Sequence, residues 1–161
     1  MKEAVLHTYG FNLMYAGLLV NQIPDLQMAE QPKPAMNHAA WVIGHLANTC
    51  DFMGSMLDLD PTCPPSWSDL FGGGSTPTND LARYPDKQTL LDSLANGHQR
   101  VGAAFAQATA ASLAAPLPNE KMRQRFATVG KLLVFGLTAH EMVHLGQLSA
   151  WRRANGLAPV M

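Results

Sequence analysis

A chain of 161 residues with 47% apolar side chains can bury a core without disulfides or a structural metal, and it is too apolar to be disordered. Its formal net charge of −1 and its 14% of charged residues exclude nucleic acid as the main partner. Lys and Arg are scattered, and the densest group, Lys121, Arg123 and Arg125, is too small to be a phosphate-binding patch. No apolar run approaches bilayer length; Leu132 to Leu137 is typical. Met1-Lys2-Glu3 is not followed by a secretory h-region. Cys50 and Cys63 are too few for a disulfide framework, so they read as reduced thiols of a cytoplasmic protein with no membrane contact.

Four segments carry helical periodicity and none shows strand alternation. The first runs from about Lys2 to Asn21, with Leu6, Leu13, Gly17 and Val20 on one face and Pro24 beyond its end. The second starts near Asn37, read as its N-cap, and runs to about Leu57. Asp60 to Pro85 is a long irregular connection rich in Pro and Gly, with one short turn expected at Ser68 to Phe71. The third helix starts at Pro85-Asp86 and reaches about Ala111, burying Leu91, Leu94, Val101 and Phe105. The fourth runs from about Gln124 to Ala154, with Arg152 and Arg153 at its negative end and Gly156 just past it. It is apolar nearly all round, which implies burial on more than one side, by a second copy or by the long loop. The expected architecture is all-α: one four-helix domain over residues 1–161, with the long loop between its second and third helices.

The histidines are the most informative residues. His140 and His144, spaced i, i+4, lie about 40° apart on one helix face and about 6 Å apart along the axis. Leu133, Leu137 and Leu148 mark that face as the inward one. His45, flanked by Trp41, Val42 and Phe52, points inward from the second helix. Three imidazoles from two facing helices can hold one divalent ion with positions left open for water or substrate, the pattern of a catalytic site. Imidazole ligation suits zinc, nickel, copper or iron and does not choose among them. The plain alternative is that these are satisfied core histidines.

His140-Glu141-Met142-Val143-His144 is a literal match to the helical metalloprotease pair. No further ligand follows it downstream, and Glu141 lies about 100° off the ligand face, which argues against a protease. His38 shares a face with His45 but sits at the helix start, where capping or solvent exposure is expected. His98, between Leu94 and Val101, reads as a core or supporting histidine, and His7 has no motif context. Gln147 can reach a ligand, although a helix-packing hydrogen bond is the simpler role. Trp41 and Phe52 read as core residues, with Trp41 a candidate pocket wall. Cys50, roughly 140° around the helix from His45, is a poor ligand.

Three stretches together resemble the DinB-like family of metal-dependent four-helix proteins, which includes the damage-inducible and YfiT-like proteins. They are Asn37 to Leu46, ending in Gly44-His45-Leu46; the middle loop Phe71-Gly72-Gly73-Gly74-Ser75-Thr76-Pro77 with Tyr84-Pro85; and His140 to Leu148, with its His pair and Gly146-Gln147 step. The resemblance spans nearly the whole chain. It implies a bundle in up-down-down-up order and one transition-metal ion, nickel or zinc, on His45, His140 and His144. It also implies a homodimer. The chemistry it implies is transfer or isomerisation with a low-molecular-weight thiol; a metal that activates a bound water or thiol gives a hydrolase or thiol-dependent transferase acting on a small-molecule substrate. The alternative is a stress-related protein that binds a metal or ligand without turnover. It does not identify a catalytic residue or the substrate.

Overall fold

Helix α1 (Lys2–Asn21) buries Val5, Tyr9, Asn12, Ala16 and Leu19, an alternating four-and-three spacing that fits the helical repeat. Val20 is buried as expected, and the rest of this stripe lies one step away from the expected Leu6, Leu13 and Gly17. The difference comes from Tyr9 and Asn12, whose polar ends find partners inside the protein and which an aliphatic pattern leaves out. Leu6 and Leu13 are half-buried at the core's edge, while Phe11, Met14 and Leu18 are exposed. The computed structural model describes residues 2–34 and 36–161; Met1 and Ala35 lie outside the described residues.

Helix α2 (Ala39–Ser55) is capped by His38, one residue later than expected, because the His38 ring accepts from Trp41 N. It ends at Ser55, short of Leu57, and Asp58 turns the chain at φ 59°. Asp51 then gathers the loop back onto the helix. Its carboxylate accepts from Thr62 N, Thr62 Oγ1 and Cys63 N. Helix α3 (Trp67–Phe71), the expected short turn, drives Trp67 and Phe71 into the core. It can lie on α2 only because residue 44 is glycine: a Cβ there would sit 2.6 Å from Phe71 Cδ1 and closer still to the rest of that ring edge.

Helix α4 (Lys87–Gln107) starts as expected, with Asp86 accepting from Thr89 N at 2.8 Å. It stops at Gln107 and not at Ala111, because Ala108 turns to ψ 136° and Thr109 caps a separate turn, α5 (Ala110–Ala114). A further turn, α6 (Glu120–Arg123), is capped by Asn119. The last rod begins at Val129 rather than Gln124: Thr128 is extended and caps Lys131 N, and Val129 N is tied to Ala115 O. It consists of α7 (Val129–Phe135), a π turn (Gly136–His140) and α8 (Glu141–Ala154). Gly156 at φ 73° ends it as expected. Arg152 is buried and donates to Leu19 O near the carbonyl end of α1, to Gln22 and to Ala158 O. Its charge therefore meets the negative end of that helix.

The four long stretches close a ring of contacts: α2 packs on α4 and α8, and α1 packs on α4 and α8. Leu46, Leu94, Leu145 and Leu148 are fully buried in the shared core. Gly97 lets α4 approach α2, since a Cβ there would lie 2.6 Å from Cys50 Cβ. The described residues form an all-α structure without a strand, Pro116 and Thr128 making one isolated bridge. No described helix is long and apolar enough to cross a membrane.

Candidate metal centre

His45, His140 and His144 each offer a ring nitrogen, and these three atoms lie within 4.8 Å of one another. Ring centroids are 5.2 Å apart for His45 and His140, 4.4 Å for His45 and His144, and 4.7 Å for His140 and His144. Nε2 of His45 is 3.4 Å from Nε2 of His140. Two nitrogens bound to one tetrahedral ion at about 2.0–2.1 Å would be about 3.4 Å apart, so this pair already has the spacing of shared ligands.

The partners of the rings set their tautomers. His45 Nδ1 donates to Phe71 O at 2.6 Å, which leaves Nε2 bare. The Trp41 indole stacks on the same ring, centroids 4.7 Å apart and 7° from parallel, and its Nε1 donates to Ser75 Oγ. His144 Nδ1 donates to Gln147 Oε1 at 3.1 Å, and Asn37 Nδ2 donates to the same oxygen. Asn37, read from sequence as the cap, instead steadies Gln147, which supports a candidate ligand. His140 Nδ1 is buried without a partner among the described residues, and His140 Nε2 is the atom that meets His45. Burial holds all three imidazoles below their ordinary range, His140 and His144 at about 4, with the neighbouring histidines adding to the effect on those two. The rings are therefore neutral at neutral pH, the form that ligates a metal.

The π turn decides which residues face which way. Leu133 is buried before it and Leu137 within it, and Glu141, Leu145 and Leu148 continue the buried stripe after it. A regular helix would carry that stripe onto His140 and His144; the extra residue of the π turn moves it one position on. The histidine pair is thus half-buried at the edge of the core, and Glu141, expected off the ligand face, is the deepest polar residue of the segment. The amide of Asn12 donates to the Leu137 and Thr138 carbonyls of the turn and to Glu141 Oε2. Glu141 Oε1 accepts from His98 Nε2 at 2.7 Å. His98 stacks on Tyr9, centroids 3.7 Å apart, and the Tyr9 hydroxyl meets Cys50 Sγ at 3.4 Å. His98 is thus a core residue that supports Glu141, and Cys50 turns away from the three histidines. Burial pushes the Glu141 carboxyl and the Cys50 thiol up. Both cysteines are free.

A cleft of about 720 Å³ opens against His45 and His140. Phe52, expected in the core, lines this cleft and is 41% exposed. Trp41 backs His45 and does not line the cleft. His38 is fully buried, bonded to Thr78 O and set edge-on to Tyr84, and has no part in the histidine cluster. Tyr9, Asn12 and the Phe71 carbonyl were not singled out in the sequence; only their neighbours across the fold reveal them.

The model of the DinB superfamily matches residues 14–148, most of the chain. This protein belongs to the DinB superfamily. The matched span contains His45, His140 and His144, so the histidines that converge in space belong to the DinB-like part of the chain. Comparison with curated proteins gives no match.

Proposed function

We propose that this DinB-like protein is a metal-dependent enzyme that holds one divalent transition ion, zinc or nickel, on His45, His140 and His144. Its reaction is hydrolysis of a small molecule or transfer to or from a low-molecular-weight thiol. One observation carries this reading: three imidazoles from two helices converge with their ligating nitrogens within 4.8 Å, and two of them, His45 and His140, line a cleft. Three protein ligands leave open positions on a first-row ion, which when bound lowers the pKa of a water or thiol and polarises a carbonyl. The residues of the chain orient and shield. Phe71 O and Trp41 hold the His45 ring, Gln147 holds the His144 ring, and apolar side chains dry one wall of the cleft.

A specific observation keeps a non-catalytic, metal- or ligand-binding role in stress as the second reading. The carboxylate in the cleft, Asp51, is occupied by loop amides, and Glu141 is turned into the core. Burial, with Asp51 beside it, pushes the Cys63 thiol in the cleft up to about 12, too high for a ready nucleophile. The proposal extends to one domain over the chain, to an up-down-down-up bundle, supported by α2 and α4 running the same way with Gly97 beside Cys50 and Gly54 beside Val101, and to a cytoplasmic location. It also includes a homodimer. Phe11, Met14 and Leu18 of α1 and Met142 and Val143 of α8 are exposed on helices that pack together.

Metal analysis of the purified protein tests the site: one ion per chain is expected, lost in His144→Ala. Protein that takes up no ion from zinc or nickel buffers would overturn the metal reading. Turnover of electrophilic acceptors and esters with a panel of thiols, absent in the same variant, separates the enzyme from the binding protein.

A further inference from the structure

We infer that the cleft beside the histidines takes an uncharged molecule with an aryl or branched-alkyl body and a neutral metal-seeking head; the role of the head rests on the metal reading above. The volume, about 720 Å³, suits a small organic ligand. The apolar part of its wall is Phe52, Met53, Met122, Phe126, Leu132 and Phe135; Asn48, Thr49, Ser55 and Ser68 also line it, with His45 and His140 at one side. The aromatic rings lead to the ligands: Phe126 packs on Phe135 with centroids 4.9 Å apart, and Phe135 meets His140 edge-on at 5.9 Å. Phe52 and Phe135 remain 41% and 39% exposed, so the wall holds apolar surface that the protein does not cover.

Charge points the same way. Among the described residues, no Lys or Arg lines the cleft. Lys121, Arg123 and Arg125 alternate with the lining residues Met122 and Phe126, yet all three are exposed and outside it. The Asp51 carboxylate is already bonded to Thr62 and Cys63. A carboxylate or phosphate seated here would lose its water without gaining a cation, whereas an aryl body would cover Phe52 and Phe135. The ligand is thus recognised by apolar contact along the wall and by its donor atom at the histidines.

Hydroxamic acids, uncharged in neutral solution and releasing one proton to the buffer when they chelate the ion, test this by calorimetry on zinc-loaded protein. Benzohydroxamate should bind about tenfold or more tighter than acetohydroxamate, and 4-carboxybenzohydroxamate should lose most of that gain. Phe126→Ser, or Phe52→Ser should the first not fold, should bring the benzo-to-aceto ratio toward one while the ion stays bound. A ratio near one in the native protein, or tighter binding of the carboxylated probe, would overturn the inference although the metal site stands. Failure to load zinc would instead count against the metal reading. In that case acetanilide, followed by ligand-observed NMR on metal-free protein, decides the cleft: binding weakened by Phe126→Ser supports it, and no binding overturns it.

Discussion

Gly44→Ala tests whether the loop helix α3 sets the metal centre. The added Cβ would lie 2.6 Å from Phe71 Cδ1 and closer to the next two ring atoms, well inside the normal contact distance. Phe71 is fully buried, so its ring cannot swing into solvent. Overpacking of this kind costs about 1–3 kcal/mol. Replacing glycine by alanine inside a helix returns about 1 kcal/mol, which leaves a net loss of up to about 2 kcal/mol. The functional effect should be larger. Moving Phe71 breaks the 2.6 Å hydrogen bond from His45 Nδ1 to its carbonyl, and loss of such a supporting partner lowers metal affinity by about 10–100-fold. Urea unfolding of metal-free protein and competition titration with a chromophoric chelator measure the two effects separately. Phe71→Leu in the same chain should restore part of both. A Gly44→Ala protein that keeps native metal affinity would refute the claim that α3 orients His45.

Three further outcomes follow from the geometry. Glu141→Leu removes the acceptor of the buried His98 Nε2 and should destabilise the protein by about 1–3 kcal/mol in chemical denaturation, with Glu141→Gln milder; equal stability would show that the network is not formed. Asp51→Ala frees the backbone of Thr62 and Cys63, so Cys63 should react faster with a disulfide reagent while Cys50 stays inert; unchanged rates would contradict the loop clamp. His38, His140 and His144 are held at about 4 by burial. A lowered imidazole pKa means that the unfolded chain takes up the proton first. Stability is therefore full above about pH 6.5 and falls as the pH drops toward 4. The urea midpoint of metal-free protein should be lower at pH 5 than at pH 7.5, and an equal or higher midpoint at pH 5 would contradict neutral burial.

Most of the site was legible because its signals are local. The i, i+4 spacing of His140 and His144, the inward setting of His45, and the flanking Gly44-Leu46 and Gly146-Gln147 all lie within short windows. What escaped depends on distant groups. Nothing local in Gly136-Leu137-Thr138-Ala139-His140 marks a π turn; it exists where Asn12, from α1, takes up the Leu137 and Thr138 carbonyls. That one extra residue buries Glu141 in place of the histidine pair. The C-terminal end of the third helix and the start of the fourth lie elsewhere than expected for a similar reason. Thr109 and Thr128 are helix caps whose effect shows only once Ala108 and Ala115 have placed the chain. The apolar character of the fourth helix proved to be shared among burial of Leu132, a cleft wall at Phe135 and an open face at Val143.

X-ray absorption at the metal edge of zinc- or nickel-loaded protein bears most directly on the centre itself. Three imidazole nitrogens at about 2.0–2.1 Å are expected, and His45→Ala, like His144→Ala, should lose the ion at one equivalent and show at most two imidazoles at excess metal. A spectrum with sulfur in the first shell, or one that His45→Ala leaves unchanged, would contradict the account.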